Sequence, residues 1–137
     1  MNIARSYYKN GYVTITNGLV SRVFKLWPNC AVTELCNNLI NEKADIKPEA
    51  IIFFDEKKYE VGGAENAPFK FSDYTLAPIK TQLQITGLEA AFYYINENMP
   101  GISVVVFYKI YDNAADFSKS LTVFNYTENN INYYIHL

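Results

Sequence analysis

Histidine and cysteine are scarce in this sequence, which holds one histidine and two cysteines among 137 residues. A Ser-His-Asp or Cys-His mechanism needs an imidazole that a third group fixes on a rigid scaffold. His136 stands next to the C-terminal residue of the sequence, which is a poor place to fix a ring. Zinc sites take three or four His, Cys or acidic ligands. We therefore expect no catalytic histidine, no metal site and no cofactor.

The two cysteines are also poorly placed for a disulfide. Cys30 and Cys36 lie too far apart along an extended chain to form a bridge unless the segment between them bends. The sequence has no Cys-x-x-Cys spacing. We interpret both as free thiols, buried or half-buried, which suits a reducing compartment.

Excess positive charge and long apolar runs are absent as well. The net charge is −2 and the pI is near 5.4, which argues against a nucleic-acid binder that neutralises phosphates. No stretch approaches the roughly 18 apolar residues that span a bilayer, and the N-terminal residues show no apolar core of a secretory signal. We expect no nucleic-acid or membrane partner, and a cytoplasmic location is favoured.

Aromatic residues are abundant: they make up 16% of the chain, with 12 tyrosines and 9 phenylalanines. The length fits one domain over residues 1–137, because domains commonly run to roughly 100–200 residues. Hydrophobicity alternates with period two in many short runs, as in half-buried strands. Turns recur every 8–12 residues or so, which predicts an all-β fold, an antiparallel β-sandwich or barrel.

Particular strands follow from this pattern. Residues 12–16 and 19–27 predict a hairpin that turns at Asn17-Gly18 and ends at Pro28. Residues 50–54 predict a buried strand, followed by a polar turn and a second hairpin. The strongest prediction is a strand over residues 102–112, with Val104, Val106, Tyr108 and Ile110 on one face.

Other segments predict irregular structure. Residues 39–47 fit one helical turn or a loop. Pro68 and Pro78 predict that residues 64–81 contain no long regular element, and that the aromatics of this loop pack on the core. Residues 82–85 and 90–95 predict two strands joined near Thr86-Gly87.

Acidic residues show no pairing typical of glycoside hydrolysis, which needs two carboxylates flanking the scissile bond. Asp55-Glu56, Asp112 and Asp116 lie in predicted turns, where Asp is common for its own backbone hydrogen bonds. We therefore interpret the chain as a non-enzyme. Aromatic rings suit carbohydrate surfaces, and Trp27 and Tyr74 are the two that we expect to be exposed.

The order of several segments resembles the N-terminal β-sandwich of α-galactosidase-like glycoside hydrolases. The segments that carry this likeness are residues 17–24, 28–33, 47–50, 59–63, 100–104, 108–112 and 118–125, and together they span about residues 12–131. The resemblance implies a supersandwich of the galactose-mutarotase-like kind that precedes a (β/α)8 catalytic barrel. The family's catalytic aspartates belong to that barrel, so none is assigned to this chain.

The resemblance also implies a role. The chain would be a non-catalytic accessory module that supports a C-terminal catalytic barrel, if the native chain continues beyond Leu137. The family's sandwich is usually longer, which indicates a truncated or shortened form with an uncovered edge or face. Such edges pair with other chains, so we expect a homo-oligomer. The alternative is a free-standing carbohydrate-binding module that uses Trp27 and Tyr74. The sequence specifies neither the sugar nor the residues that contact it.

Overall fold

The computed structural model describes residues 1–37 and 40–137. These residues form an all-β, antiparallel, sandwich-like arrangement, which confirms the predicted fold class. The twelve described strands are β1 (Arg5–Lys9), β2 (Tyr12–Thr16), β3 (Val20–Lys25), β4 (Ala31–Asn37), β5 (Ile40–Lys43), β6 (Ala50–Phe54), β7 (Lys57–Val61), β8 (Lys70–Thr81), β9 (Gln84–Ile95), β10 (Ile102–Tyr111), β11 (Phe117–Asn125) and β12 (Tyr133–His136).

The first sheet has the strand order β1-β2-β3-β4-β5. Its predicted hairpin is confirmed, but the turn lies one residue later than expected, because Thr16 pairs with Ser21. Gly18 takes a φ of 89°, while Asn17 stands at the first turn position and its Oδ1 accepts the backbone N–H groups of Leu19 and Val20. A single glycine with positive φ at the first central position is typical of a type II′ turn.

The second sheet has the order β11-β10-β9-β8 and contributes nine of the twenty buried residues of the core cluster. The predicted strand is confirmed as β10, and the face that carries Val104, Val106, Tyr108 and Ile110 is buried. On the first sheet, Phe24 faces these side chains: its ring centroid lies 4.5 Å from that of Phe92 and 5.0 Å from that of Tyr108. The two sheets therefore pack through aromatic contacts near their centre.

Two predictions for the second sheet are wrong. Residues 70–81 form the long strand β8 rather than a loop, because β8 is an edge strand and an edge tolerates Pro78. Residues 84–95 form one strand, β9, rather than two, and Gly87 lies within it. A Cβ at Gly87 would lie 2.5 Å from the carbonyl oxygen of Ile110, so this glycine permits close approach of β10 rather than a turn.

The third sheet has the order β12-β6-β7, and its Ala50, Ile52, Phe54 and Val61 belong to the same buried core as the other two sheets. Its predicted hairpin is confirmed, with Asp55 and Glu56 both at positive φ in the turn. Gly62 follows β7 at a φ of 71°, and a Cβ there would lie 2.7 Å from the Cys30 carbonyl oxygen and 2.8 Å from the Tyr94 ring. This contact joins the third sheet to both others.

Two further strands were not predicted. β1 pairs with β2 at the edge of the first sheet, although its side chains are mostly exposed and give little alternation. Residues 40–43 form β5, so the prediction of a helical turn or loop is wrong there. Leu39, where that prediction begins, lies outside the described residues.

Candidate functional site

Trp27 follows β3 and is 55% exposed, as the sequence predicts. Its ring meets the edge of Phe71 at the start of β8, with centroids 5.3 Å apart and an interplanar angle of 67°. Phe71 itself is buried. Trp27 therefore has a buried aromatic support beneath a ring that is open to solvent.

Tyr74 lies on β8 and is half-buried against the core, so the prediction that it is exposed is wrong. Its ring packs near those of Phe71 and Phe92, at centroid distances of 6.5 and 6.0 Å, and these two phenylalanine rings lie 6.4 Å from each other. Burial, followed by the neighbouring Tyr8 and Asp73, raises the pKa of Tyr74. The phenol thus remains a hydrogen-bond donor at neutral pH. We call Trp27, Phe71 and Tyr74 the aromatic surface.

Asn29 fixes the backbone beneath the aromatic surface. Its Oδ1 accepts the backbone N–H of Phe71 at 2.8 Å, and its Nδ2 donates to the carbonyl oxygen of Ala64 at 2.9 Å. Asn29 is buried, so these bonds are shielded from water. They hold the start of β8 against the segment that carries Trp27, and the two predicted residues meet at one buried ring.

A second polar feature lies between the sheets, on the side of β11. The Glu49 carboxylate is buried and accepts hydrogen bonds from the Tyr108 hydroxyl and, at 3.3 Å, from the Val32 backbone N–H. Lys119 Nζ lies 3.6 Å from Glu49 Oε1 and donates to the Glu49 carbonyl oxygen at 2.6 Å. Glu49 therefore has one charged partner and two neutral donors.

Tyr108 completes this cluster from β10. Burial, and then the charge of Glu49 and the hydrogen bond to it, raise the pKa of Tyr108 far above its usual range. The phenol therefore stays protonated and donates to Glu49. Such a group is suited to orienting a carboxylate rather than to acting as a nucleophile.

Arg22 projects from β3 toward the same region. Its guanidinium carbon lies 4.9 Å from the Phe117 ring centroid and 5.8 Å from that of Tyr108. Among the described residues, the buried Arg22 Nε has no hydrogen-bond partner, and no acidic side chain forms a salt bridge with Arg22. The aromatic rings thus hold the cation without neutralising it.

These charged groups surround a cavity of about 180 Å³, which we call the cationic cavity. It is lined by Arg22, Val32, Leu35, Ala44, Lys47, Pro48, Glu49, Tyr108 and Lys119. Arg22 and Leu35 also line an adjoining cavity of about 430 Å³ that includes Glu42 and Asp116. β11 lies at one edge of the second sheet and β8 at the other, so the cationic cavity and Tyr74 are on opposite sides of the sandwich.

Sequence reasoning missed this cluster, although part of its signal was present. Arg22 lies two residues from each of the buried Val20 and Phe24, so it shares their core-facing side of the strand. Lys119 likewise lies on the same face of β11 as Phe117 and Leu121. A charged residue at such a position is itself informative. Glu49 precedes β6, where no periodicity points to it.

The remaining predicted groups do not form a site. His136 is exposed on β12. Cys30 and Cys36 are free, buried and half-buried respectively, which confirms that prediction, and burial raises the pKa of the Cys30 thiol. Within residues 1–37 and 40–137, no group of three His, Cys, Asp or Glu residues could hold a metal ion. No helix in this part of the chain is long and apolar enough to cross a membrane.

Comparison with protein-family models, curated proteins and solved structures finds no match to this chain.

Proposed function

We propose that the chain is a non-catalytic β-sandwich module that binds carbohydrate through the aromatic surface. The observation that supports this proposal is the convergence of Trp27 and Tyr74 on Phe71. A flat, exposed ring on a rigid base offers the apolar face of a sugar a large contact area without ordering a flexible side chain. The Tyr74 hydroxyl and the exposed Asp73 add polar groups beside it.

The experiment is a glycan-array screen, followed by calorimetric titration of the strongest oligosaccharide. Trp27→Ala and Tyr74→Ala should each weaken affinity about 10- to 100-fold, since stacked aromatics act as hot spots. Tyr126→Ala is the matched control, because this exposed ring also stacks on a phenylalanine, Phe124, but follows the end of β11, at the opposite edge of the second sheet from Tyr74. The proposal fails if no glycan binds or if Trp27→Ala retains full affinity.

A second candidate is the accessory role that the family resemblance implies. It is supported by tyrosines exposed on two edge strands, Tyr7 and Tyr8 on β1 and Tyr133 and Tyr134 on β12. Such side chains suit contact with another domain or a second copy. The pure chain should then hydrolyse no nitrophenyl α-galactoside and should sediment as a dimer or larger species. Turnover, or a strictly monomeric profile at high concentration, would reject this role.

A further inference from the structure

The cationic cavity carries more positive charge than its surroundings neutralise. Arg22, Lys47 and Lys119 line it against a single carboxylate, that of Glu49. Glu49 is already bound by Lys119, Tyr108 and Val32. Arg22 is half-buried and forms no salt bridge with a described side chain, and its buried Nε has no hydrogen-bond partner among the described residues, so a bound anion could satisfy this donor.

We propose that the cationic cavity binds a small oxyanion, a carboxylate or a phosphate, through Arg22. The guanidinium fork matches both groups, because each presents two oxygens to parallel N–H donors. Arg22 is held by the Phe117 and Tyr108 rings, so little conformational freedom is lost on binding. This site is independent of the aromatic surface and of the carbohydrate that we propose there.

The size of the cavity sets the size of the anion. About 180 Å³ is far more than the roughly 10–15 Å³ that one water molecule needs. It is less than the roughly 300–1,000 Å³ of pockets that take drug-sized ligands. Val32, Leu35 and Pro48 supply apolar walls. The occupant is accordingly an ion of a few heavy atoms, such as phosphate or a short dicarboxylate.

Neighbouring acidic residues restrict an anion to one side of Arg22. Glu42 and Asp116 line the adjoining cavity and are not within salt-bridge distance of Arg22. They disfavour an anion there by like charge. The exposed Lys47 lies on the other side, so an anion is drawn into the cationic cavity itself.

The test is thermal unfolding and calorimetric titration of the full chain with inorganic phosphate and, separately, malonate, at an ionic strength held constant with NaCl. At least one anion should raise Tm above the NaCl control, and Arg22→Gln should weaken its affinity about tenfold or more. A response to phosphate alone or to malonate alone assigns the class, and a response to both assigns a general oxyanion site. Arg5→Gln is the matched control, since this exposed arginine also lies near a tyrosine ring, 6.0 Å from the centroid of Tyr7.

Two results would overturn the proposal. One is that neither anion raises the Tm of the unmodified chain; the other is that Arg22→Gln binds as tightly as the unmodified chain. If Arg22→Gln does not fold, Lys47→Gln replaces it, because Lys47 is exposed at the cavity. It should fold normally and bind more weakly, and unchanged affinity in Lys47→Gln would then reject the site.

Discussion

The two sides of the sandwich use side chains of opposite character. On the side of β8, the rings of Trp27, Phe71 and Tyr74 pack against one another without an ion pair, and Trp27 is open to solvent. On the side of β11, Glu49, Lys119 and Tyr108 are bound to one another, and Arg22 adds a further charge. The first side can lose a ring without leaving a polar group unsatisfied. On the second side, the loss of Glu49, Lys119 or Tyr108 would leave a partner without its contact.

Phe24 lies between the two sides, so its removal should have the largest effect. Phe24→Ala would leave a cavity beside Phe92, which contacts Tyr74, and Tyr108, which contacts Glu49. We expect a loss of about 3–5 kcal/mol in the free energy of unfolding in urea. Phe24→Leu should lose clearly less. A loss below about 1 kcal/mol would show that the sheets pack independently of this ring.

Glu49→Leu should be the next most damaging change. It leaves Lys119 without its carboxylate and Tyr108 without its acceptor inside the sandwich. We expect a loss of about 3 kcal/mol, the lower end for breaking a buried pair, because Lys119 is 29% exposed. The same measurement on Glu97→Leu, in the exposed turn before β10, should change little. Equal effects would remove the contrast between the two sides.

Tyr108→Phe tests the neutral hydrogen bond within the charged side. It keeps the ring that packs on Phe24 but removes the donor to Glu49, so we expect a loss of about 1–3 kcal/mol at neutral pH. Tyr74→Phe is the control on the aromatic side. It should cost less, because Tyr74 is half-buried and its hydroxyl makes no hydrogen bond to the residues that the structure describes.

Tyr108→Phe should also change how the free energy of unfolding depends on pH in the alkaline range. The pKa of Tyr108 is raised above 10.0 in the folded chain, so this group contributes fully below pH 10. Above pH 10 the unfolded state loses the proton first, and stability falls as pH rises. The raised pKa of Tyr94 lowers stability over the same pH range. The raised pKa of Cys30 begins to lower stability as the pH rises above 9.0. Between pH 8 and about pH 11, the free energy of unfolding should decline less steeply in Tyr108→Phe than in the unmodified chain. An unchanged slope would contradict the raised pKa of Tyr108.

Trp27→Ala should have the smallest effect on stability. The ring is 55% exposed and makes one edge contact, so we expect a loss of about 1 kcal/mol or less by urea unfolding. The same variant should nevertheless lose carbohydrate affinity. A loss as large as that of Glu49→Leu would show that Trp27 serves the core rather than a ligand.

Much of the fold could be predicted from alternation alone. β10 and the residues that share one of its faces could be predicted, because Val104, Val106 and Ile110 repeat with period two. β8 was missed because Pro78 suggests a break, and only the sheet order shows that this strand lies at an edge. The charged side was missed for another reason: Glu49 meets Tyr108 and Lys119 through contacts distant in sequence.

The proline on β8 also restricts how copies of this chain can associate. A strand at the margin of a sheet can add a neighbour only where its backbone offers matching donors and acceptors. Pro78 offers no donor, and Lys80 and Asp73 place charges along the same strand. We expect this margin to resist strand addition, so that a homodimer would form at another sheet edge, such as β1 or β12, and leave the aromatic surface accessible.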